Sequence, residues 1–293
     1  MSKTLLSLAA SSARLLPPPV VRWLYRAGPL TRLIRTSLNQ AAPHGLSEVE
    51  VASGGLQGTR LLLDLQQEKD LWLGNYEPDL QKAIAELALP GMIAYDVGAN
   101  IGYLSLLLSL FVGTQGKVVA FEALPENIER LHANLALNKT GAHVQVVPAA
   151  VVERTRAVRF LIGPSDDTGK AEGSAGRQKV TYQESIQVEG LSLDDFVYGQ
   201  GGPAPDLIKM DIEGGEVLAL PGMRRILSKK HPILLLELHG PQSAAAAWSA
   251  CRTAGYRICQ ASAGYPEVQT VDELDWKAYL VGLPERESLE GPA

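Results

Sequence analysis

Short apolar runs alternate with longer segments of helical period through most of the chain. The runs are rich in β-branched and aromatic residues and are bounded by turn-forming residues, which is typical of strands. They lie at residues 61–65, 92–97, 117–123, 143–149, 157–162, 185–188, 207–210, 233–238, 256–260 and 276–281. Apolar residues three or four apart indicate helices at residues 78–89, 101–111, 125–138, 216–227 and 243–254. This alternation predicts an α/β domain with a mostly parallel sheet and helices on both of its faces.

Residues 163–179 interrupt the alternation. The segment holds four glycines together with Ser, Asp and Lys, and it offers little that a core could bury. It is predicted to be either a surface loop or a lid that orders when a ligand binds.

The composition is that of an ordinary globular protein, with 46% hydrophobic and 20% charged residues among 293. No run of about 18 apolar residues is present, so no transmembrane helix is predicted. The two cysteines, Cys251 and Cys259, form neither a disulfide framework nor a metal-binding spacing, and the cytoplasm is the expected location.

A net charge of −5 argues against nucleic acid as the main partner, because phosphate binding needs a clustered basic surface. No pattern indicates an oligomeric state.

The charge is distributed unevenly, because residues 1–47 carry six cations and no acid. We therefore divide the chain into a basic helical N-terminal extension, residues 1–45, and a main domain, residues 46–293. The extension is predicted either to pack on the acidic body or to make a weak peripheral contact with anionic lipid. A signal peptide is disfavoured, because the apolar run at residues 5–13 is short and contains three serines.

A glycine-rich turn follows the strand at residues 92–97. The strand reaches Asp96, and Gly98, Asn100 and Gly102 follow before the next helix. A dinucleotide-binding turn would need glycine where Asn100 and Tyr103 stand, so that pattern fails twice. A carboxylate at Asp96 would repel a pyrophosphate but suits a ligand with ammonium and sulfonium charges. S-adenosylmethionine is such a ligand.

A second acid, Glu122, ends the next strand, 26 residues after Asp96. A carboxylate at this position is well placed to accept hydrogen bonds from both ribose hydroxyls of a nucleoside. The alternative is that Asp96 or Glu122 only caps a helix. The ordered series of acid, turn, helix, strand and acid favours the cofactor role.

Several motifs resemble one known family. They are GNYEP at residues 74–78, YDVGANIG at 95–102, FE at 121–122 followed by Pro125, KMDIEGGE at 209–216 and ELH at 237–239. With these motifs the chain resembles the FkbM family of S-adenosylmethionine-dependent methyltransferases over roughly residues 60–283. The resemblance implies a class I methyltransferase (Rossmann-like) fold and O-methylation of a small-molecule hydroxyl on a sugar, lipid or natural product. It also implies that Tyr76 and Glu77 cover the methionine end of the cofactor.

Two later strand ends supply candidates for the acceptor side. Asp211 and Glu213 follow the strand at residues 207–210, and they share a face if that strand continues. Glu237 and His239 stand two apart at the end of the strand at residues 233–238. An alcohol acceptor must lose a proton, which calls for a general base or a cation. For the nearby Glu216 we favour an electrostatic role at a helix start.

Two hypotheses follow for this acidic group. In the first, His239 or Asp211 is the base, and Glu213 and Glu237 position the acceptor. In the second, Asp211, Glu237 and His239 bind a divalent cation such as Mg²⁺, although histidine is a less typical ligand of that ion.

Two other functions compete with a methyltransferase. One is a nicotinamide-dependent oxidoreductase on a similar sheet, which Asn100 and Tyr103 disfavour. The other is a non-catalytic module that binds S-adenosylmethionine. The acidic residues at the later strand ends weigh against this module without excluding it.

Overall fold

The computed structural model describes residues 42–163, 169–176, 180–182, 184–274 and 276–285. The predicted N-terminal extension therefore lies almost entirely outside the described residues, and its predicted packing or lipid contact stays a prediction. No helix within the described part of the chain is long and apolar enough to cross a membrane.

The strands are β1 (Leu46–Glu50), β2 (Arg60–Asp64), β3 (Ile93–Val97), β4 (Lys117–Glu122), β5 (Val144–Pro148), β6 (Ala150–Val151), β7 (Arg156–Ile162), β8 (Lys170–Ala171), β9 (Glu184–Leu191), β10 (Leu207–Met210), β11 (Ile233–His239), β12 (Tyr256–Gln260) and β13 (Lys277–Pro284). The α-helices are α1 (Lys69–Leu73), α2 (Pro78–Leu87), α3 (Tyr103–Val112), α4 (Pro125–Ala136), α5 (Leu193–Tyr198), α6 (Glu216–Ala219), α7 (Arg224–Lys229) and α8 (Pro241–Thr253). Single 3-10 turns lie at Lys139–His143, Leu220–Met223 and Val271–Glu273.

Seven strands form the central sheet, in the order β12-β13-β11-β10-β3-β4-β5. The strands from β5 to β11 pair in parallel, and β13 is antiparallel to both of its neighbours. The chain passes outward from β3 to β5 and then returns to place β10 on the other side of β3. This order confirms the predicted class I, Rossmann-like sheet, and it puts the expected binding crevice at the carboxyl ends of β3 and β10.

Two apolar cores cover the two faces of this sheet. In β3, Ala94 belongs to one core, and Tyr95 and Val97 belong to the other. Such burial on both faces explains why the central strands are almost continuously apolar in sequence. Asp96 lies on the same face as Ala94, since side chains two apart share a face, and this is the face that α3 covers.

The predicted helix over residues 216–227 is wrong as a single element. The structure has α6, then the 3-10 turn, then α7 in its place. Pro221 begins the break because it has no backbone N–H to donate. Gly222 lies in the same 3-10 turn, and its lack of a side chain fits the packing, because a Cβ atom there would lie 2.4 Å from the carbonyl oxygen of Val152.

A second, four-stranded sheet lies beside the first, in the order β6-β9-β7-β8. It contains the predicted strand at residues 157–162, as part of β7. The structure describes residues 169–176 of the predicted loop or lid, and β8 lies within them. Residues 164–168 and 177–179 of that prediction lie outside the described residues.

Candidate functional site

A cavity opens where the carboxyl ends of β3, β4, β10 and β11 meet. Glu122 lies toward one end, and a group of acidic side chains from β10 and β11 lies toward the other. Its lining includes Tyr76, Glu77, Gly98, Asn100, Glu122, Leu124, Val151, Phe160, Gly169, Ala171, Asp211, Glu213, Glu237 and Lys277. Gly169 and Ala171 bring the described part of the predicted loop or lid to the cavity wall.

The glycine-rich turn packs tightly against the protein's own backbone. Gly98 has a φ of 78°, and a Cβ atom there would lie 2.0 Å from the carbonyl oxygen of Asp211. Asn100 adopts a left-handed φ of 48°. The amides of Gly98 and Ala99 both donate to the carbonyl of Phe121 at 3.0 Å. The turn is thereby fixed between β4 and the segment after β10.

Gly102 serves the packing of the helix that follows. It precedes α3 with a φ of 89°, and a Cβ atom would lie 2.3 Å from Leu131 Cδ1 on α4. The ligand contact predicted for Gly102 stays a prediction, and the structure supplies a helix-packing reason for this glycine.

Asp96 lies beneath the turn and is fully buried. Its Oδ1 is 3.0 Å from Lys209 Nζ, and its Oδ2 accepts a hydrogen bond from Ser105 Oγ at 2.6 Å. Lys209 Nζ also donates to the carbonyl of Gly98 at 2.9 Å. Burial lowers the pKa of Lys209, but the charges of Asp96 and Asp211 outweigh burial and raise it, so Lys209 is charged. The carboxylate of Asp96 thus holds the turn through Lys209. Its predicted contact with a ligand stays a prediction.

Sequence reasoning missed Lys209 as a functional residue. A lysine inside the apolar strand at residues 207–210 was the available signal, because buried lysines in proteins are almost always paired.

Glu122 accepts backbone hydrogen bonds and also lines the cavity. Its Oε2 accepts from the amide of Asn100 at 2.8 Å, and its Oε1 accepts from the amides of Ala123 and Leu124 at 2.8 and 2.9 Å. Burial raises the pKa of Glu122 although these hydrogen bonds lower it. The carboxylate therefore binds the backbone near the start of α4 and also lines the cavity. The ribose contact stays a prediction.

Tyr76 and Glu77 form one wall of the cavity just before α2. The ring of Tyr76 packs edge-to-face on Tyr103, with centroids 5.6 Å apart, and burial raises the pKa of Tyr76 well above its usual value. The carboxylate of Glu77 accepts hydrogen bonds from the Tyr279 hydroxyl and from Lys277 Nζ. Tyr279 and Lys277 come from β13 and were missed by sequence reasoning.

The four acceptor-side residues predicted from sequence lie together, with three carboxylates around the imidazole of His239. His239 Nε2 lies 3.4 Å from Glu237 Oε1, 3.6 Å from Glu213 Oε1 and 3.9 Å from Asp211 Oδ1. Glu237 and His239 share a face of β11, as predicted. Asp211 and Glu213 meet for a different reason. The strand ends at Met210 and Glu213 has a left-handed φ of 53°, so a turn brings them together.

Burial and close charges shift the pKa values of this group. Burial and the charge of Glu237 raise the pKa of Asp211. For Glu237, burial raises the pKa, but the nearby His239 and Lys277 outweigh burial and lower it. Burial alone would lower the pKa of His239, whereas the carboxylates of Glu216 and Glu237 raise it to about 10.

The same residues are the candidate metal ligands. Asp211, Glu237 and His239 each offer one ligand atom, and these atoms lie within 4.8 Å of one another. Among the described residues this is the group with the donors and the spacing for an ion.

The chain is similar to known methyltransferases. The family model for the methyltransferase FkbM domain matches residues 96–258, more than half of the chain. The hexuronic acid methyltransferase AglP of Haloferax volcanii is 26% identical over 163 residues, which are 56% of this chain and 62% of AglP. The AMB antimetabolite synthetase AmbE of Pseudomonas aeruginosa is 26% identical over 245 residues, which are 72% of this chain and 11% of AmbE. The chain thus spans less than two thirds of the length of either relative.

Among solved structures, the methyltransferase FkbM of Methylobacillus flagellatus is 20% identical, with a TM-score of 0.43. The match covers 74% of this chain and 53% of that one.

Proposed function

The chain belongs to the FkbM methyltransferase family, and we propose that it transfers a methyl group from S-adenosylmethionine to a hydroxyl of a small polyhydroxylated acceptor such as a sugar. One observation carries the proposal. A single cavity runs from Glu122 past the glycine-rich turn to the carboxylates of Asp211 and Glu213. Methyl transfer is an in-line displacement, so the donor and acceptor must be held in contact within one such space.

The Glu122 end suits the nucleoside part of the donor. Leu124, Val151 and Phe160 form an apolar wall that an adenine ring can cover, and Glu122 supplies carboxylate oxygens beside it. When bound, S-adenosylmethionine supplies an electrophilic methyl group on a sulfonium cation. The acidic residues farther along the cavity favour that positive charge electrostatically.

The opposite end suits an acceptor rich in hydroxyl groups. Its carboxylates at Glu77, Asp211 and Glu213 accept hydrogen bonds, and sugar hydroxyls donate them. The similarity to AglP, whose name describes a hexuronic acid methyltransferase, supports a carbohydrate acceptor. Asp211 and Glu213 line the space where the acceptor hydroxyl must lie, and their oxygens are the groups that can accept its proton. His239 lies behind them with its side chain 3% exposed, so we assign it a positioning role.

The test uses the purified full chain. Isothermal titration with S-adenosylmethionine and with NAD is expected to show binding of the first alone. Incubation with S-adenosylmethionine carrying a ¹³C-methyl group and a panel of glycosides should then yield a product heavier by one labelled methyl, with release of S-adenosylhomocysteine. Binding of NAD in place of S-adenosylmethionine would overturn the proposal. Donor binding without transfer to any acceptor, with Mg²⁺ or Mn²⁺ present, would support the non-catalytic module.

A further inference from the structure

The spacing around His239 does not match a hydrogen-bonded ion pair. A charge-assisted N–H···O⁻ bond is about 2.7–2.9 Å long. The imidazole Nε2 instead faces three carboxylates at 3.4, 3.6 and 3.9 Å without approaching any of them closely. Ligand atoms that share an ion at about 2.1–2.5 Å in octahedral geometry lie roughly 3.0–3.5 Å apart. The separations at His239 are close to those of atoms around a common cation.

The other nitrogen of the imidazole faces a buried carboxylate. His239 Nδ1 lies 3.6 Å from Glu216 Oε1, and Glu216 is fully buried. Glu216 is itself held by Ser243 Oγ, which donates to Oε2 at 2.7 Å, and by the amide of Ile212. A histidine that binds a metal almost always directs its second nitrogen to a carboxylate, a carbonyl or water. Glu216 thus places a buried carboxylate beside Nδ1, which has no hydrogen-bond partner among the described residues. The sequence analysis favoured a helix-end role for Glu216.

Carboxylates crowd this end of the cavity. Four carboxylates, those of Asp211, Glu213, Glu216 and Glu237, surround His239, and Lys277 Nζ contacts Glu237 Oε1 at 2.8 Å. The second oxygen, Glu237 Oε2, is buried and has no hydrogen-bond partner among the described residues. A buried polar atom that lacks a partner is destabilising, so a cation bound at this second oxygen would be favourable.

We propose that Asp211, Glu237 and His239 bind a divalent cation of the Mg²⁺ and Mn²⁺ class, with Glu216 orienting the imidazole from behind. Two carboxylates and one imidazole match Mn²⁺ better than Mg²⁺, because imidazole is a softer donor than oxygen. The role of the ion rests on the proposed function. At the acidic end of the cavity the cation would bind the acceptor oxygen and make its proton easier to transfer to the carboxylate of Glu213, because Asp211 would be a ligand of the ion. The binding of the ion does not depend on that function.

The test begins with full-length protein stripped of metal by a chelator. Mn²⁺ is titrated alone, and binding is followed by the loss of the free-ion electron paramagnetic resonance signal. One ion per chain is expected. His239→Gln and Asp211→Asn should each weaken binding by at least about tenfold, in line with the effect of losing a metal-site contact. The control is Glu153→Gln, an exposed carboxylate with no place in the site, which should bind Mn²⁺ like the wild type.

Two outcomes overturn the proposal. One is the absence of saturable binding of Mn²⁺ and of Mg²⁺ to the wild type. The other is binding that both variants leave unchanged. If the variants do not fold, pulsed resonance on wild-type protein with Mn²⁺ decides the question, because a bound imidazole gives a ¹⁴N coupling and its absence contradicts the site. S-adenosylmethionine binding is measured on the same stripped protein. Donor binding by a wild-type protein that binds neither ion would overturn the metal site and leave the proposed function standing.

Discussion

Lys209 and Asp96 form a buried ion pair across two neighbouring parallel strands, with Nζ 3.0 Å from Oδ1. The two residues are direct partners in the register of β10 and β3. Because Lys209 also binds the carbonyl of Gly98, the pair joins the glycine-rich turn to the strand that leads to Asp211. The proposed donor side and the proposed acceptor side of the cavity therefore share one buried electrostatic link.

Removing the lysine from this pair should destabilise the fold. Lys209→Met leaves the carboxylate of Asp96 buried without its cation, and breaking a buried pair costs about 3–5 kcal/mol. The double variant Lys209→Met with Asp96→Asn should recover part of the free energy of unfolding. Affinity for S-adenosylmethionine should be lost in Lys209→Met and should not return in the double variant, because the carbonyl of Gly98 still lacks its hydrogen-bond donor. Urea unfolding and isothermal titration measure the two quantities, and an unchanged unfolding free energy for Lys209→Met would contradict the link.

Glu122, at the end of β4, should contribute more to S-adenosylmethionine affinity than an acidic residue of the following helix α4. Glu122→Gln places an amide NH₂ group where backbone amides now donate, so one buried donor loses its acceptor at a cost of about 1–3 kcal/mol. We expect affinity for S-adenosylmethionine to fall about tenfold or more. The control is Glu126→Gln, an exposed acid in the first turn of the same helix. Equal affinities of the two variants in isothermal titration would show that Glu122 has only a structural role.

The central sheet could be predicted because its strands are buried on both faces. Such strands are continuous apolar runs, and parallel strands place their carboxyl ends at one edge of the sheet. For the same reason the sequence alone assigns Asp211, Glu237 and His239 to one site. Their distances, and the turn that brings Glu213 toward His239, depend on tertiary packing.

The positions of other site residues could not be predicted from the sequence pattern in this way. The direction of the Asp96 side chain depends on which face of β3 is covered by α3, and a single strand does not reveal this. Lys277 reaches the cavity, and Tyr279 reaches Glu77 in the cavity wall, because β13 lies antiparallel beside β11. That pairing joins segments distant in sequence. The break at Pro221 was different, because its signal was a proline inside a predicted helix.

Two variants should distinguish residues needed to bind the methyl donor from residues needed for transfer to the acceptor. Asp211→Ala is expected to keep affinity for S-adenosylmethionine within about threefold and to lower turnover by at least about 100-fold, the range of a lost acid–base or cation contribution. Asp96→Ala is expected to abolish donor binding, because the turn loses the carboxylate that holds Lys209. Isothermal titration and the labelled-methyl assay give the two readouts. Loss of donor affinity in Asp211→Ala would mean that this residue belongs to the donor site.

Gly98 should tolerate no side chain, because its turn contacts the backbone after β10. In Gly98→Ala the new Cβ atom would lie 2.0 Å from the carbonyl oxygen of Asp211, and a backbone atom cannot move away as a flexible side chain can. The matched control is Gly255→Ala, where φ is also positive, at 73°, and no atom lies within 4 Å of the added Cβ. Left-handed backbone alone costs a non-glycine residue roughly 1–2 kcal/mol, and the control should lose about that much in urea unfolding. Gly98→Ala should lose clearly more and should also lose donor binding. Equal losses in the two variants would show that the contact with Asp211 adds nothing to the conformational cost.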